Sequence, residues 1–369
     1  MSETTGRPLR IAIVNAARNY GGQEAMAALL ANELHGRNHD VLFLCRSVYP
    51  ALDRLSAELR VEPVLGGLDW SPLGIWRART ALRRHRTEVV LVTTNKDMRS
   101  AALAAWSLGV PVVIRRAMAR PLRGSPHYRF LYGRLPRHIV ANSHTTRRIM
   151  LDSAPWLRAE TVSVIHNGID TAPFERGEPA TLDVPTGALI IGFVGRFVEW
   201  KGVLVLADAW RIAAPRLPDA HLVLAGAGEM EAGMRSRLGD AGERVHWIGF
   251  RNDVPAVMKA LDILAFPSRM EGFGLAAVEA MAAGVPVIAA AAGSLPEVVE
   301  HEGQGLLVPP DDADALAAAM LRLAGDPDLR HRLGAAGRER VRRDFSVRRM
   351  VDAYEQVLRS AVDPLRDVA

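Results

Sequence analysis

Residues Pro267 to Glu279 read Pro-Ser-Arg-Met-Glu-Gly-Phe-Gly-Leu-Ala-Ala-Val-Glu and follow the apolar run Ile263 to Phe266. An apolar run, a glycine-bearing turn and a stretch of small and aliphatic residues closing near Ala283 and Gly284 predict a buried strand, a sharp turn and a packed helix. Gly272 and Gly274 free the backbone at the turn, where side chains would keep a ligand away. The helix opens near Phe273, Gly274 and Leu275, and its first amides point above the turn, a setting that favours an anion such as phosphate. Glu271 precedes the turn and Glu279 lies inside the helix, so the two carboxylates can reach different parts of one ligand. The alternative is a packing helix with solvated glutamates.

Outward from this stretch the same alternation repeats. Apolar runs at 188–194, 220–225, 245–248, 263–266, 287–289 and 306–308 are separated by helical segments. An earlier series has runs at 10–15, 41–46, 61–64, 89–93, 112–114, 138–141 and 162–165. Short apolar strands separated by helices predict parallel sheets covered on both faces. The expected fold class is α/β: two tandem Rossmann-like, doubly wound domains with a ligand cleft between them, since such sheets bind ligands beyond the carboxyl ends of their strands. The expected boundaries are 1–170 for the first domain, 171–187 for a Pro- and Gly-bearing linker, 188–345 for the second domain, and 346–369 for a terminal helical segment.

Several loops fall at those carboxyl ends. Tyr20-Gly21-Gly22 follows the first strand, but one Gly-Gly pair is no dinucleotide fingerprint. Gly195 to Gly202 carries Arg196 and Lys201, which can neutralise a diphosphate from two sides, although either could instead be a solvated loop cation. The glycines of Gly226-Ala227-Gly228 let a flat ring or a ribose approach the backbone, and Phe250-Arg251 follows the next strand. Asn95-Lys96-Asp97 occupies another strand-end loop. The segment from Arg115 to Tyr128 reads as irregular, with Pro121, Gly124 and Pro126 inside it.

The 369 residues favour two cores over one. A single cysteine, Cys45, rules out an internal disulfide and a thiolate metal cluster. No leader-like segment opens the sequence and no apolar run approaches a membrane span, so the expected location is cytoplasmic. Residues 77–148 hold 16 Lys and Arg against only Glu88 and Asp97. Such a field attracts an anionic surface or substrate, although arginines decorating ordinary surface helices would give the same count. No nucleic-acid-binding motif accompanies it, so nucleic acid is not an expected partner.

Taken together, these residues resemble the retaining glycosyltransferases of family 4, with the GT-B fold. Glu271 and Glu279 match that family's pair of glutamates separated by seven residues, and Arg196 and Lys201 its basic pair. Gly21-Gly22 matches its amino-terminal loop, Asn167 to Asp170 the phrase before its linker, and Gly226 to Gly228 the loop near the nucleoside. The resemblance implies a nucleotide diphosphate sugar as donor, with UDP as the first expectation. It puts Glu279 on the ribose, Glu271 near the transferred sugar, and the amides around Phe273 and Gly274 at the phosphates. Catalytic roles are expected for Glu271, Arg196 and Lys201, with no cofactor and no metal. The implied partner is a saccharide or lipid-linked acceptor on the first domain.

The family's first-domain histidine is missing; Ile114-Arg115-Arg116 stands in its place, and Asn95, Lys96, Asp97, Arg115 and Arg116 are candidates for the acceptor side. The same family leads us to expect that the last helix returns to the first domain on a face of Phe345, Val347, Met350, Val351, Tyr354 and Leu358. Arg115, Arg116, Arg120 and Arg123 interleave with Met118, Pro121 and Leu122, which suggests peripheral attachment to an anionic membrane at its inner face. Competing readings are a small soluble acceptor, a GT-B epimerase or phosphorylase, and a non-catalytic nucleotide-sugar binder.

Overall fold

A computed structural model describes residues 6–18, 21–66, 71–93 and 97–363, with the side chains of residues 97 and 98 left out. Two compact units emerge, one of Met1–His166 with Arg348–Ala369 and one of Asn167–Val347.

In the first unit seven strands form one parallel sheet: β1 (Arg10–Val14), β2 (Asp40–Arg46), β3 (Arg60–Leu65), β4 (Val89–Val92), β5 (Val112–Arg116), β6 (His138–Ala141) and β7 (Val162–Val164). Their order is β3-β2-β1-β4-β5-β6-β7. Ile13 sits opposite Phe43 on one side and Leu91 on the other, and all three are fully buried. This is why the central strands are almost wholly apolar: helices cover both faces and leave no solvent side for a polar residue. Helices α1 (Gly22–Gly36), α2 (Pro72–His85) and α3 (Asp97–Trp106) follow β1, β3 and β4. Ser71 caps α2 by accepting from the Gly74 amide, and Pro72 fills the first helical position, where no amide partner is needed.

One expectation is overturned here. Of the segment expected to be irregular, Arg115 and Arg116 instead end β5 and Pro126–Arg129 is a short helix that runs into a wider turn at Phe130–Arg134, while 117–125 carries no regular element. Arg115 and Arg116 are 3% and 5% exposed. Arg116 donates to the Tyr132 hydroxyl at 3.1 Å and to the Arg120 carbonyl at 3.0 Å, while Arg115 meets the hydroxyl of Tyr354. Leu122 is also buried. Arg120, Pro121 and Arg123 remain exposed, so Arg115, Arg116 and Leu122 are withdrawn from the mixed cationic and apolar surface expected of this segment.

The last helix, Val347–Val362, packs on the first unit through Met350, Val351, Tyr354, Glu355, Leu358 and Ala361. Phe345 is not part of that face: it is buried in the second unit, with its ring edge-on to Phe273 at 5.5 Å. Glu355, at 3% exposure, takes hydrogen bonds from Arg37 at 3.1 Å and Arg359 at 2.7 Å, and His39 Nε2 lies 3.4 Å away. Burial pushes the Glu355 carboxyl up, but the bonds from Arg359 and Arg37 outweigh it and hold it below the usual range.

The second unit carries six parallel strands: β8 (Leu189–Val194), β9 (Ala220–Ala225), β10 (Val245–Gly249), β11 (Ile263–Phe266), β12 (Val287–Ala290) and β13 (Gly305–Val308). Their order is β10-β9-β8-β11-β12-β13. β8, the first strand in sequence, lies at the centre beside β11, so the chain reverses direction across the sheet between them. That reversal opens a crevice at the carboxyl ends of these two strands. Between the two sheets in sequence, the helix Ala172–Arg176 buries Phe174 in the second unit's core.

The Glu355 cluster yields a stability test. Its depressed carboxyl contributes stability that is present above the ordinary carboxylate range and is lost as pH falls through the folded-state value. Glu355→Ala should cost about 2 kcal/mol at neutral pH by urea denaturation. The gap between wild type and Glu355→Gln should close in acid; a gap unchanged with pH would contradict the ionised pairing.

Candidate functional site

Four loops converge at the carboxyl ends of β8, β9, β11 and β12. After β8, Phe197 and Val198 are buried at 1% exposure each and pin the loop to the core, while Arg196 points outward. The Phe197 amide donates to the Ala227 carbonyl at 3.0 Å, and its own carbonyl accepts from Met230 at 3.0 Å. These bonds lace the β8 loop to the Gly226-Ala227-Gly228 turn after β9. A further bond from the Gly226 amide to the Gly249 carbonyl, at 2.7 Å, ties in the exit of β10. Beyond that exit Phe250 is largely exposed, and Arg251 Nε donates to Asp253 at 2.7 Å.

The β8 loop ends in a single tight turn, Glu199–Lys201, and then in Gly202 at φ 67°. A side chain here would put its first carbon 2.0 Å from the Pro267 carbonyl, so only glycine lets this loop lie against the exit of β11. The contact delivers Lys201 to Glu271: Nζ donates to Oε1 at 2.6 Å, with both side chains more than four-fifths buried. Nζ also sits 4.9 Å from the centre of the Phe266 ring, over its electron-rich face.

Glu271 is held from its other side by the loop after β12. Gly293, at φ 57°, lies so close that a side chain would come within 2.8 Å of the Glu271 amide nitrogen and carbonyl oxygen. The fully buried Ser294 donates its hydroxyl to that carbonyl at 3.2 Å. Glu271 is therefore fixed at its backbone by one loop and at its carboxylate by another. Sequence reading missed Ser294 as a support, because its role depends on a neighbour 23 positions away.

Beyond the turn, Gly274 takes a left-handed conformation (φ 92°) and starts the helix Leu275–Ala283. The ring of Phe273 is buried against Phe345, so this residue presents only backbone to the turn. The helix opens with amides that have no preceding-turn carbonyl, an electropositive end directed over the site. Glu279 lies on this helix with its carboxyl enclosed, and burial pushes it up to about 7, with nearby Lys201 acting in the opposite direction. One lysine thus lies in a direct ion pair with Glu271 and within the electrostatic reach of Glu279.

In the first unit, Gly21 precedes α1 in an extended conformation and Gly22 is its first residue. Glu24, one turn on, is buried, and burial raises its carboxyl while Arg115 draws it back down. The sequence offered no reason to expect this pair, since a first-turn acid is normally a solvated helix-dipole partner. Asn95 and Lys96, with Tyr20, lie outside the described residues, and Asp97 is described only as the start of α3. Asp312 and Asp326 accept amide hydrogen bonds from Ala315 and Leu329 as helix caps, each at 2.8 Å. No group of three or more His, Cys, Asp and Glu side chains is placed to hold a metal among the described residues. No helix among them is long and apolar enough to cross a membrane.

A glycine turn at a helix start, a cation and two carboxylates are thus gathered at the carboxyl ends of these strands. Known proteins share the architecture that gathers them. Residues 20–173 match Glycosyltransferase Family 4 and residues 176–340 match Glycosyl transferases group 1. The chain has the GT-B fold and is related to these family 4 and group 1 sugar transferases. It is 34% identical over 241 residues to a D-inositol 3-phosphate glycosyltransferase of Saccharomonospora viridis, covering 60% of this chain and 54% of that protein. It is 28% identical over 309 residues to the lipopolysaccharide core biosynthesis mannosyltransferase LpsB of Rhizobium meliloti, covering 78% and 81%. The match therefore spans about half the length of the first of these relatives. Among solved structures, HepE of Anabaena in complex with UDP and glucose superposes with a TM-score of 0.81 at 23% identity, over 95% of this chain and 100% of that one.

The raised Glu279 carboxyl has a measurable cost. Its folded value of about 7 lies above the ordinary 4.5, so the folded state favours the proton and loses stability as pH rises between those values. Glu279→Gln should stabilise the second unit at pH above this window by up to about 3 kcal/mol and change little below it. Urea denaturation across pH checks this, and a pH-independent difference would refute it.

Proposed function

We propose that the protein is a retaining glycosyltransferase that moves a hexose from a nucleoside diphosphate sugar to a saccharide or lipid-linked acceptor, in surface polysaccharide or glycolipid assembly. The observation that carries this reading is the Lys201–Glu271 pair at the mouth of the glycine turn. A leaving diphosphate needs positive charge where the bond to the sugar breaks. Lys201, Arg196 and the amides that open the Leu275–Ala283 helix supply it in this reading. Glu271, which shares the lysine, takes the hydroxyls of the transferred sugar, and Glu279 takes the ribose. UDP is the first choice of donor nucleotide, supported by the UDP bound in the related HepE structure.

The first unit receives the acceptor. Its hydroxyl attacks the anomeric carbon on the face the diphosphate leaves, and its proton passes to the departing phosphate oxygen. Retention follows without a covalent sugar intermediate. The charge is balanced by side chains and amides, so we assign no divalent ion a role. The names of the relatives support both a polymer or lipid acceptor and a small one. LpsB is named for lipopolysaccharide core biosynthesis, and the S. viridis relative for D-inositol 3-phosphate.

Lys201→Ala should lower kcat/KM by about 100-fold or more and weaken UDP binding in calorimetry. Glu271→Ala should abolish transfer while leaving free UDP affinity nearly unchanged, whereas Glu279→Ala should weaken free UDP; equal affinities for all three variants would contradict the division of roles. Transfer should persist in EDTA, and proton NMR of the product should show a retained anomeric configuration. Release of altered nucleotide sugar without acceptor, or dependence on inorganic phosphate, would replace transfer by epimerisation or phosphorolysis.

A further inference from the structure

The loops at the carboxyl ends of the second unit's strands carry Arg196, Lys201, Arg251 and Arg269, and all but one of these cations meet a carboxylate. Lys201 is paired with Glu271, Arg251 with Asp253, and Arg269 with Asp311 and Glu199. Arg196 is the exception: it is exposed, and among the described residues no carboxylate lies within ion-pair distance of it. What it meets is the indole of Trp200, four residues on, with the guanidinium carbon 5.8 Å from the ring centre. Trp200 is 38% exposed, a large apolar side chain kept partly in solvent beside the site.

Both residues are fixed at the backbone. Phe197 and Val198 anchor the chain just after Arg196, and the Val198 amide donates to the Arg196 carbonyl at 3.1 Å. Trp200 is the middle residue of the tight turn Glu199–Lys201, which is closed by bonds from the Lys201 amide to the Val198 carbonyl and from the Gly202 amide to the Glu199 carbonyl, each at 3.0 Å. The Arg269 amide donates to the Trp200 carbonyl at 2.8 Å and ties that turn to the loop after β11. The indole is therefore set on a braced turn, one residue before the lysine of the buried pair.

An aromatic ring and a carboxylate hold a cation in different ways. A carboxylate neutralises the guanidinium, occupies its N–H donors and repels an incoming phosphate. A ring face attracts the cation through its quadrupole and leaves the charge and the donors at the guanidinium edge available. A surface arginine also loses rotamer freedom when it closes on a ligand, and stacking beforehand removes part of that loss.

We infer that Trp200 is a positioning residue, whose indole holds Arg196 charged and ready for the diphosphate of the donor. The inference rests on the donor reading of the proposed function and deepens it: the two cations of the β8 loop are prepared differently, Lys201 by a carboxylate and Arg196 by a ring. Any apolar side chain of similar bulk would serve if the contact were surface packing alone, whereas positioning through the ring requires an aromatic residue at 200.

The test is calorimetry of UDP, GDP and ADP with the intact protein, repeated on variants with the nucleotide that binds wild type most tightly. Trp200→Ala and Trp200→Leu should each weaken binding about threefold to fivefold. Trp200→Phe, which keeps a ring face, should stay within about twofold of wild type. With Arg196→Ala already in place, Trp200→Ala should change affinity by less than about 1.5-fold, since the side chain it positions is gone.

Wild-type affinity in Trp200→Ala overturns the inference, and so does a leucine variant that binds as well as the phenylalanine one. A full loss on the Arg196→Ala background also overturns it, because the effect would then run through the turn and Lys201. Each of these leaves the donor reading standing. Absence of binding by wild type to all three nucleotides is the separate result that removes the donor reading, and this inference with it.

Discussion

An ammonium and a carboxylate 2.6 Å apart, both mostly withdrawn from water, set the terms for the second unit. Removing either charge alone would leave the other poorly solvated, a cost of several kcal/mol for groups this enclosed. The pair therefore has to be assembled from both sides, and the backbone shows how. Gly202 lets the lysine loop lie on the exit of β11, while Gly293 and Ser294 clamp the peptide of Glu271. The helix that follows Glu271 then brings a second carboxyl, Glu279, within the field of the same lysine. The lysine is thus neutralised by a protein carboxylate, so little bare positive charge has to be stored in a dry place.

Much of this was legible in the chain because parallel sheets leave a strong trace. Strands such as Val89–Val92 and Ile263–Phe266 are buried on both faces and have no polar alternation, and a glycine turn follows the second of them. The motif from Glu271 to Glu279 could be placed on a strand, turn and helix from its local pattern alone. The cations were harder. Arg115 and Arg116 read as surface charges, since arginine is seldom buried, and nothing near them in sequence announces Tyr354 or Tyr132. Burial of a cation is decided by partners that the fold brings in, and these two are carried by the terminal helix and by a turn after β5.

Phe345 illustrates the same limit in apolar form. Its spacing with Met350, Tyr354 and Leu358 fits a helical face, yet the chain leaves the second unit after it, and the ring stays with Phe273. Periodicity tells which side chains share a face; it does not tell at which residue a chain passes from one core to another. The raised Glu279 carboxyl was likewise out of reach, because enclosure by neighbouring loops sets it and the residue type does not.

The buried carboxylate on the terminal helix bears on how the protein is made. Glu355 and its partners Arg37, His39 and Arg359 close the first unit, and the whole second unit is encoded between Arg37 and Glu355. During synthesis the first sheet emerges early but lacks Met350, Val351, Tyr354 and Leu358, while the second unit is a continuous segment that can complete its own core first. The earliest part of the chain to appear is thus the last to be finished. Until the terminal helix leaves the ribosome, the surface reserved for it stays uncovered, and a chain shortened before Glu355 would carry that exposed apolar surface permanently, as a target for chaperones and proteases.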